Sequence, residues 1–190
     1  MICASPSAQA IEEERDITIA DFVVRQERVS FGSISVLRPL PLDELIRDVM
    51  VVNNIASLQD YLGWLQANIT YEKDLTHQDR WSAPEETLKA KRGDCEDYAF
   101  LNEAVLRVMG LKPQVLALGG VGGQHAICVF KNNDEFFWID NAELKTTTAR
   151  TLEEFARHIF SACGGCYLLS VNLPTHDWDI LFKRSVLVGQ

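Results

Sequence analysis

The 190-residue sequence contains no run of about 18 apolar residues, the length that a membrane-spanning helix requires. It is also short of basic residues, with 18 lysines and arginines against 27 aspartates and glutamates and a formal net charge of −9. Because nucleic-acid surfaces depend on basic contacts with phosphates, this balance argues against nucleic-acid binding. We therefore expect no membrane span and no nucleic-acid partner.

Cysteines are few and odd in number. The five cysteines include one CxxC pair, Cys163 and Cys166, and the sequence has no second pair of this kind. A structural zinc site normally needs four cysteine or histidine ligands, so this pair predicts a local disulfide or two ordinary thiols. An odd cysteine count in a chain of this length also argues against a disulfide framework.

Composition predicts one folded domain. Apolar residues make up 47% of the chain and charged residues 24%, as is typical of soluble globular proteins. We expect a single domain over residues 17–190, preceded by residues 1–16, MICASPSAQAIEEERD. This segment is interpreted either as a flexible extension or as the remnant of a secretory signal, since its small residues are followed by acids. The second interpretation favours a periplasmic or secreted protein over a cytoplasmic one.

Hydrophobic periodicity changes along the chain. Apolar residues recur at helical spacing over residues 42–51, 57–69 and 95–109, and another helix is predicted to start at Thr151. Between and after them, VLALGG, HAICVF, EFFWID and YLLSVNL have the composition of strands. Helices followed by a run of antiparallel strands predict an α+β fold, in which the N-terminal helices pack on an antiparallel sheet.

The stretch RGDCEDYAF places Cys95 at the start of the most strongly predicted helix, among three acids. A helix N-terminus lowers the pKa of a thiol and offers free N–H groups to an oxyanion. Neighbouring carboxylates have the opposite effect, because negative charge disfavours the thiolate. Either Cys95 is inert, or a positive group is brought to it.

His125 and Asp140 offer such a group. We predict a hairpin of residues 125–130 and 135–140 around a turn at residues 131–134, which would make His125 and Asp140 direct cross-strand neighbours. The glycine-rich stretch before His125 predicts a loop that leaves the imidazole at a sheet edge. A thiol, an imidazole and a carboxylate in these positions form a nucleophile, a base and an orienting acid.

Three stretches carry a family resemblance: GDCEDYAFLNEAVLRVMGL, QHAICVF and FWIDNAELKTT. Together they resemble the transglutaminase-like superfamily, and most closely its bacterial transglutaminase-like cysteine proteinases. The likeness covers roughly residues 57–150, and the spacings of 30 residues from Cys95 to His125 and 15 more to Asp140 are typical of it. The resemblance implies a papain-like α+β core and a catalytic triad of Cys95, His125 and Asp140.

The resemblance also implies further site residues. The family uses an aromatic or amide side chain upstream of the cysteine as an oxyanion donor, and Tyr71 and Trp81 are the candidates here. Periplasmic members bind calcium through acids that flank the nucleophile, which match Asp94, Glu96 and Asp97. The alternative is that Glu96 and Asp97 are simply acids that favour a helix N-terminus.

The function expected from these residues is that of a cysteine protease, a hydrolase that cuts a peptide or isopeptide bond in a protein or peptide substrate. The chemistry itself needs no cofactor, and calcium is the ion that the resemblance implies. Two alternatives stay open: a non-catalytic binding module of the same fold, and a crosslinking transglutaminase or amidase that uses the same triad. The sequence leaves the oligomeric state open.

Overall fold

The computed structural model describes residues 41–74, 80–120, 123–160, 166–172 and 177–184. The predicted N-terminal extension, the start of the predicted domain at residue 17 and Cys163 lie outside these ranges. None of the helices in the described ranges has the length and apolarity that crossing a bilayer requires.

The described helices start where the sequence provides a local signal. Ser57 caps α2 by accepting the N–H of Asp60, and Thr151 caps α5 by accepting that of Glu154. Pro84 occupies the first position of α3, where its missing N–H has no cost. The bounds are α1 Leu42–Val52, α2 Leu58–Asn68, α3 Pro84–Ala90, α4 Cys95–Val108 and α5 Leu152–Ile159.

Most of the described strands form one six-stranded antiparallel sheet with the order β6-β5-β4-β3-β7-β8. A separate two-stranded parallel pair joins β1 to β2. With helices before and between these strands, the predicted α+β fold is confirmed. The bounds are β1 Thr70–Tyr71, β2 Arg92–Gly93, β3 Gln114–Gly120, β4 Gly123–Asn132, β5 Glu135–Asp140, β6 Glu143–Thr146, β7 Cys166–Asn172 and β8 Asp177–Arg184.

Helices cover both faces of this sheet. On one face, α1, α2 and α4 pack against Cys128 and Phe130 of β4 and Ile139 of β5. On the other face, Phe155 of α5 is fully buried in a cluster that includes Ile127 and Val129. Alternate residues of β4 therefore serve two cores, as the two-residue period of a strand requires.

The hairpin register differs from the prediction. Cys128 pairs with Ile139 and Asn132 with Glu135, so the loop is two residues long and Asp140 is not directly opposite His125. Asn133 and Asp134 occupy that loop with φ of 50° and 67°. Asn and Asp tolerate this left-handed conformation, and such two-residue loops match the twist of paired strands. The predicted four-residue turn was therefore wrong.

The glycine-rich stretch also differs from the prediction. Gly119 and Gly120 belong to β3, and Gly120 pairs with Gly123 at the start of β4. His125 lies within β4, opposite Leu118, in an interior strand of the sheet. The loop predicted directly before His125 was wrong, because Gly123 and Gln124 already pair with β3. Since β4 pairs with β5 only from Cys128 onward, His125 has a neighbouring strand on one side alone, at a local edge of the sheet.

Candidate active site

The position of Cys95 depends on the short parallel pair of β1 and β2. Gly93 pairs with Tyr71, and Asp94 follows in an extended conformation at the N-cap position of α4. A side chain at position 93 has no room, because its Cβ would lie 2.5 Å from the Cβ of Asp97. The pair thus leads the chain directly into α4 with Cys95 as its first residue.

His125 and Asp140 form a hydrogen bond despite the corrected register, with 2.8 Å between Nε2 and Oδ1. Their strands stop pairing at Cys128 and Ile139, so the two side chains meet diagonally beyond the last backbone pair. The hydrogen bond from His125 holds the pKa of Asp140 below its usual value. Because an ionised carboxylate only accepts, Nε2 carries the proton and Nδ1 is left as the basic nitrogen.

Cys95 and His125 line one cavity of about 420 Å³. The backbone N–H of Ala126, the residue after His125, acts on the Cys95 thiol by lowering its pKa. The sequence-predicted triad therefore comes from three elements, α4, β4 and β5, and its thiol and imidazole open into the same space.

The Cys95 thiol has a second, competing contact. Its Sγ donates to Oε2 of Glu96 over 3.0 Å. Burial first, and then this hydrogen bond and the charges of Glu96 and Asp94, raise the pKa of Cys95 to about 12, against a smaller lowering by the N–H of Ala126. At neutral pH the thiol in this arrangement is protonated, so burial and the acids outweigh the helix N-terminus.

Both oxyanion candidates lie at the cavity. Tyr71 is half exposed, and burial, followed by the proximity of Cys95, raises its pKa. Trp81 lies at the cavity with its ring centroid 5.8 Å from that of Phe100. The backbone N–H of Cys95 is also placed to donate, because the first N–H groups of a helix have no partner within it. Whether Tyr71 or Trp81 donates to the oxyanion stays a prediction.

Two of the three predicted calcium ligands lie together. Oxygens of Asp94 and Glu96 and the Cys95 sulfur are all within 4.8 Å of one another. Asp94 is 5% exposed, makes no side-chain cap to α4, and its Oδ1 has no hydrogen-bond partner in the described part of the chain. A buried carboxylate oxygen without a partner is costly unless a cation or water satisfies it. These oxygens fit a hard cation such as calcium.

Asp97 is engaged elsewhere. Its Oδ1 accepts the backbone N–H of Ser82 over 2.8 Å, which ties the segment before α3 to the first turn of α4. Burial raises the pKa of this carboxyl. The contact gives Asp97 a structural role that the sequence pattern did not indicate, and its place in a cation site stays a prediction.

A buried polar pair behind the site was not predicted. The Tyr61 hydroxyl donates to Oδ1 of Asn102 over 2.7 Å, and Nδ2 of Asn102 donates to the carbonyl of Asn141 over 2.9 Å. Tyr61 and Asn102 are both fully buried. In the sequence, Asn102 is a single polar residue among the apolar residues of α4. Its role cannot be predicted until its hydrogen-bond partners are known.

Comparison with known proteins places the chain in a family. The model of the transglutaminase-like domain family matches residues 42–158, which is more than half of the chain. This chain belongs to the transglutaminase-like domain family. The matched segment contains Cys95, His125 and Asp140, and the predicted family resemblance is confirmed.

A curated relative of this transglutaminase-like domain has a distantly similar sequence. UPF0252 protein MJ1282 of Methanocaldococcus jannaschii is 27% identical over 121 residues, a match that covers 54% of this chain and 34% of that protein. The match thus spans about a third of the length of this curated relative.

Two solved structures are also similar, each at 14% identity. One is a candidate cysteine protease from Cytophaga hutchinsonii, with a TM-score of 0.44 over 74% of this chain and 52% of that one. The other is described as a TGase, with a TM-score of 0.41 over 65% of this chain and 37% of that one.

Proposed function

We propose that this transglutaminase-like domain is a cysteine-nucleophile acyl hydrolase, a cysteine protease that cuts a peptide or isopeptide bond in a protein or peptide substrate. The observation that carries the proposal is the His125–Asp140 hydrogen bond at the cavity that also holds Cys95. A base oriented by an acid, beside a thiol at a helix start, is the arrangement that covalent acyl transfer needs.

In the proposed reaction, Nδ1 of His125 takes the thiol proton, and the Cys95 sulfur attacks the substrate carbonyl carbon. The resulting oxyanion is held by the N–H of Cys95, with Tyr71 or Trp81 as a second donor. The C–N bond then breaks, and His125 gives its proton to the leaving amine. Water, deprotonated by His125, attacks the thioester and releases the carboxylic acid and the free thiol.

For this reaction the thiol must exchange its partner from Glu96 to His125. We further propose that Asp94 and Glu96 hold a calcium ion, because their oxygens lie together and Oδ1 of Asp94 lacks a partner among the described residues. When bound, the ion supplies positive charge that offsets the two carboxylates. Asp97 is retained in this proposal as a further ligand, subject to the test below.

The second candidate function is a non-catalytic binding module. The 3.0 Å contact between Cys95 and Glu96 favours it, because a thiol that donates to a carboxylate is not donating to a base. The two candidates share the same cavity and differ in whether a bond in the bound peptide is broken.

A peptide library incubated in ¹⁸O-labelled water, with calcium and in its absence, tests the proposal. Hydrolysis places ¹⁸O in the new carboxylate, which mass spectrometry detects, and Cys95→Ala provides the matched control. An added primary amine that is incorporated in place of ¹⁸O would show a transglutaminase instead. Peptides that are retained by wild type but never cleaved in either condition would overturn the hydrolase and establish the binding module.

A further inference from the structure

The turn that follows Asp140 is held from two helices. Asp140 ends β5 and pairs with Glu143, so Asn141 and Ala142 form a two-residue turn. The Asn141 carbonyl accepts from Nδ2 of Asn102 in α4, and the Ala142 carbonyl accepts from Nε2 of Gln66 in α2 over 3.1 Å. Asn141 has φ of 54°, the left-handed conformation that Asn tolerates better than most residues.

The amide orientation of Asn102 is determined by its partners. The carbonyl of Asn141 can only accept, so the NH₂ group of Asn102 must face it. The Oδ1 atom then faces Tyr61, whose hydroxyl donates to it over 2.7 Å. With both residues fully buried, water cannot substitute readily for either bond. The chain of bonds from Tyr61 to Asn141 thus has one orientation.

The same helix carries the nucleophile. Cys95 and Asn102 are seven residues apart in α4, which is about two turns and roughly 10 Å along the axis. Residues at this spacing lie on one face of a helix. The helix α4 therefore joins the thiol to the turn that begins directly after the orienting acid.

We propose that Asn102 is a positioning residue for Asp140, held in its orientation by Tyr61. Through the Asn141 carbonyl it keeps the Asp140 carboxylate on Nε2 of His125, at a set distance from Cys95. The inference rests on the proposed function, since it assigns a role to the His125–Asp140 pair. Asn102 itself touches none of the reacting atoms.

The test is ¹⁵N NMR of the histidine rings in the full chain, with His125→Gln to assign the His125 signals. Wild type is expected to show the neutral ring protonated at Nε2, and Asp140→Ala to show the mixture of tautomers that follows loss of the acceptor. Asn102→Leu, which removes the donor to Asn141, is expected to move the His125 signals most of the way towards those of Asp140→Ala.

A double variant separates positioning from stability. Asn102→Leu leaves the Tyr61 hydroxyl buried without a partner, whereas Tyr61→Phe with Asn102→Leu removes both polar side chains and is expected to recover melting temperature. We expect the His125 signals to stay shifted in the double variant, which also serves if the single variant does not fold. Leu106→Ala, at a fully buried position of the same helix, is the destabilised control and should leave the His125 signals unchanged.

The outcomes distinguish the two claims. Wild-type His125 signals in both Asn102 variants would overturn the positioning role, as would an equal shift in Leu106→Ala. Identical spectra for wild type and Asp140→Ala would mean that Asp140 does not orient the ring, and the proposed function would fail together with the inference.

Discussion

The two sides of the cavity differ in how closely their hydrogen bonds match those that the proposed catalysis needs. On the sheet side, His125 and Asp140 already make the 2.8 Å hydrogen bond that a catalytic pair requires. On the helix side, Cys95 donates to Glu96 instead of to a base, and its pKa is raised to about 12. The proposed base already has its orienting acid, whereas the proposed nucleophile is held protonated.

The difference has a physical cause. On the sheet side, the hydrogen bond from His125 stabilises the charged form of the Asp140 carboxyl. The helix side places Asp94 and Glu96 around a half-buried thiol, and both acids stabilise its neutral form. Activation of this site therefore has to act on the acids beside Cys95, and the following predictions test that contrast.

Cys95→Ala has the largest expected effect. Without a nucleophile, peptide cleavage should fall on the order of 10³-fold or more. Cleavage products of a library substrate, measured by mass spectrometry, give the rate. Cys128→Ala is the matched control, because this thiol is fully buried in the core and its loss should lower the melting temperature but leave cleavage intact. Persistent cleavage by Cys95→Ala would remove the nucleophile assignment.

Asp140→Asn tests the His125–Asp140 pair on the sheet side of the cavity. An amide cannot hold the Nε2-protonated imidazole as a carboxylate does, so kcat/KM should fall roughly 10²- to 10⁴-fold. Glu153→Gln, which removes one acid of an exposed ion pair on α5, should have no effect. A fall of similar size in both variants would mean that overall charge, and not the pair with His125, is responsible.

A calcium titration tests whether the acids beside Cys95 bind the ion. A ligand that binds only the folded state at 100 times its Kd stabilises it by about 2.7 kcal/mol, which a melting scan with calcium and with a chelator detects. Asp94→Asn should abolish the shift. Asp97→Asn tests the third predicted ligand. Loss of the shift in this variant would support Asp97 as a ligand, whereas a shift that survives would leave Asp97 only the structural role given by its contact with Ser82. No shift in wild type at millimolar calcium would contradict the site.

Glu96→Gln tests directly whether Glu96 raises the pKa of the Cys95 thiol. Removing the charged acceptor should lower the pKa of Cys95 from about 12, and one unit raises the thiolate fraction roughly tenfold at a given pH. Iodoacetamide labelling of Cys95 in calcium-free buffer, followed by peptide mass spectrometry against pH, measures the change. Glu85→Gln, on the exposed side of α3, is the control. An unchanged labelling rate would show that burial alone protects the thiol.

The smallest expected effect is on stability against pH. The hydrogen bond from His125 lowers the pKa of folded Asp140, so its contribution is present above the unfolded value of about 3.9 and is lost as the pH falls through the folded value. Both side chains are more than a third exposed, which keeps this contribution small. The melting-temperature gap between wild type and Asp140→Asn should narrow as the pH falls below about 3.9, and a gap that widens there would contradict the assignment.

The sequence predicted the parts of this site that depend on local signals. The start of α4 at Cys95 follows from the apolar stripe behind it, and the strands that carry His125 and Asp140 follow from their apolar alternation. The hairpin register was wrong by two residues, because the choice between a two-residue and a four-residue loop depends on backbone φ at Asn133 and Asp134.

Contacts between distant residues were beyond the reach of the sequence. Asn102 looks like an isolated polar residue until the fold brings Tyr61 and Asn141 to its two ends. Asp97 looks like one more acid at a helix start until Ser82 is placed against it. In each case the polar group acquires its role from a partner on another element.

By itself, the sequence determined that helices precede an antiparallel sheet and that Cys95 opens a helix, because periodicity and capping act over a few residues. Only the tertiary structure decided that the Cys95 thiol donates to Glu96 and that Asp140 meets His125 on a diagonal. The protonation state of a thiol and the partner of an imidazole depend on burial and on distances of a few ångströms. Those quantities exist only once the chain has packed.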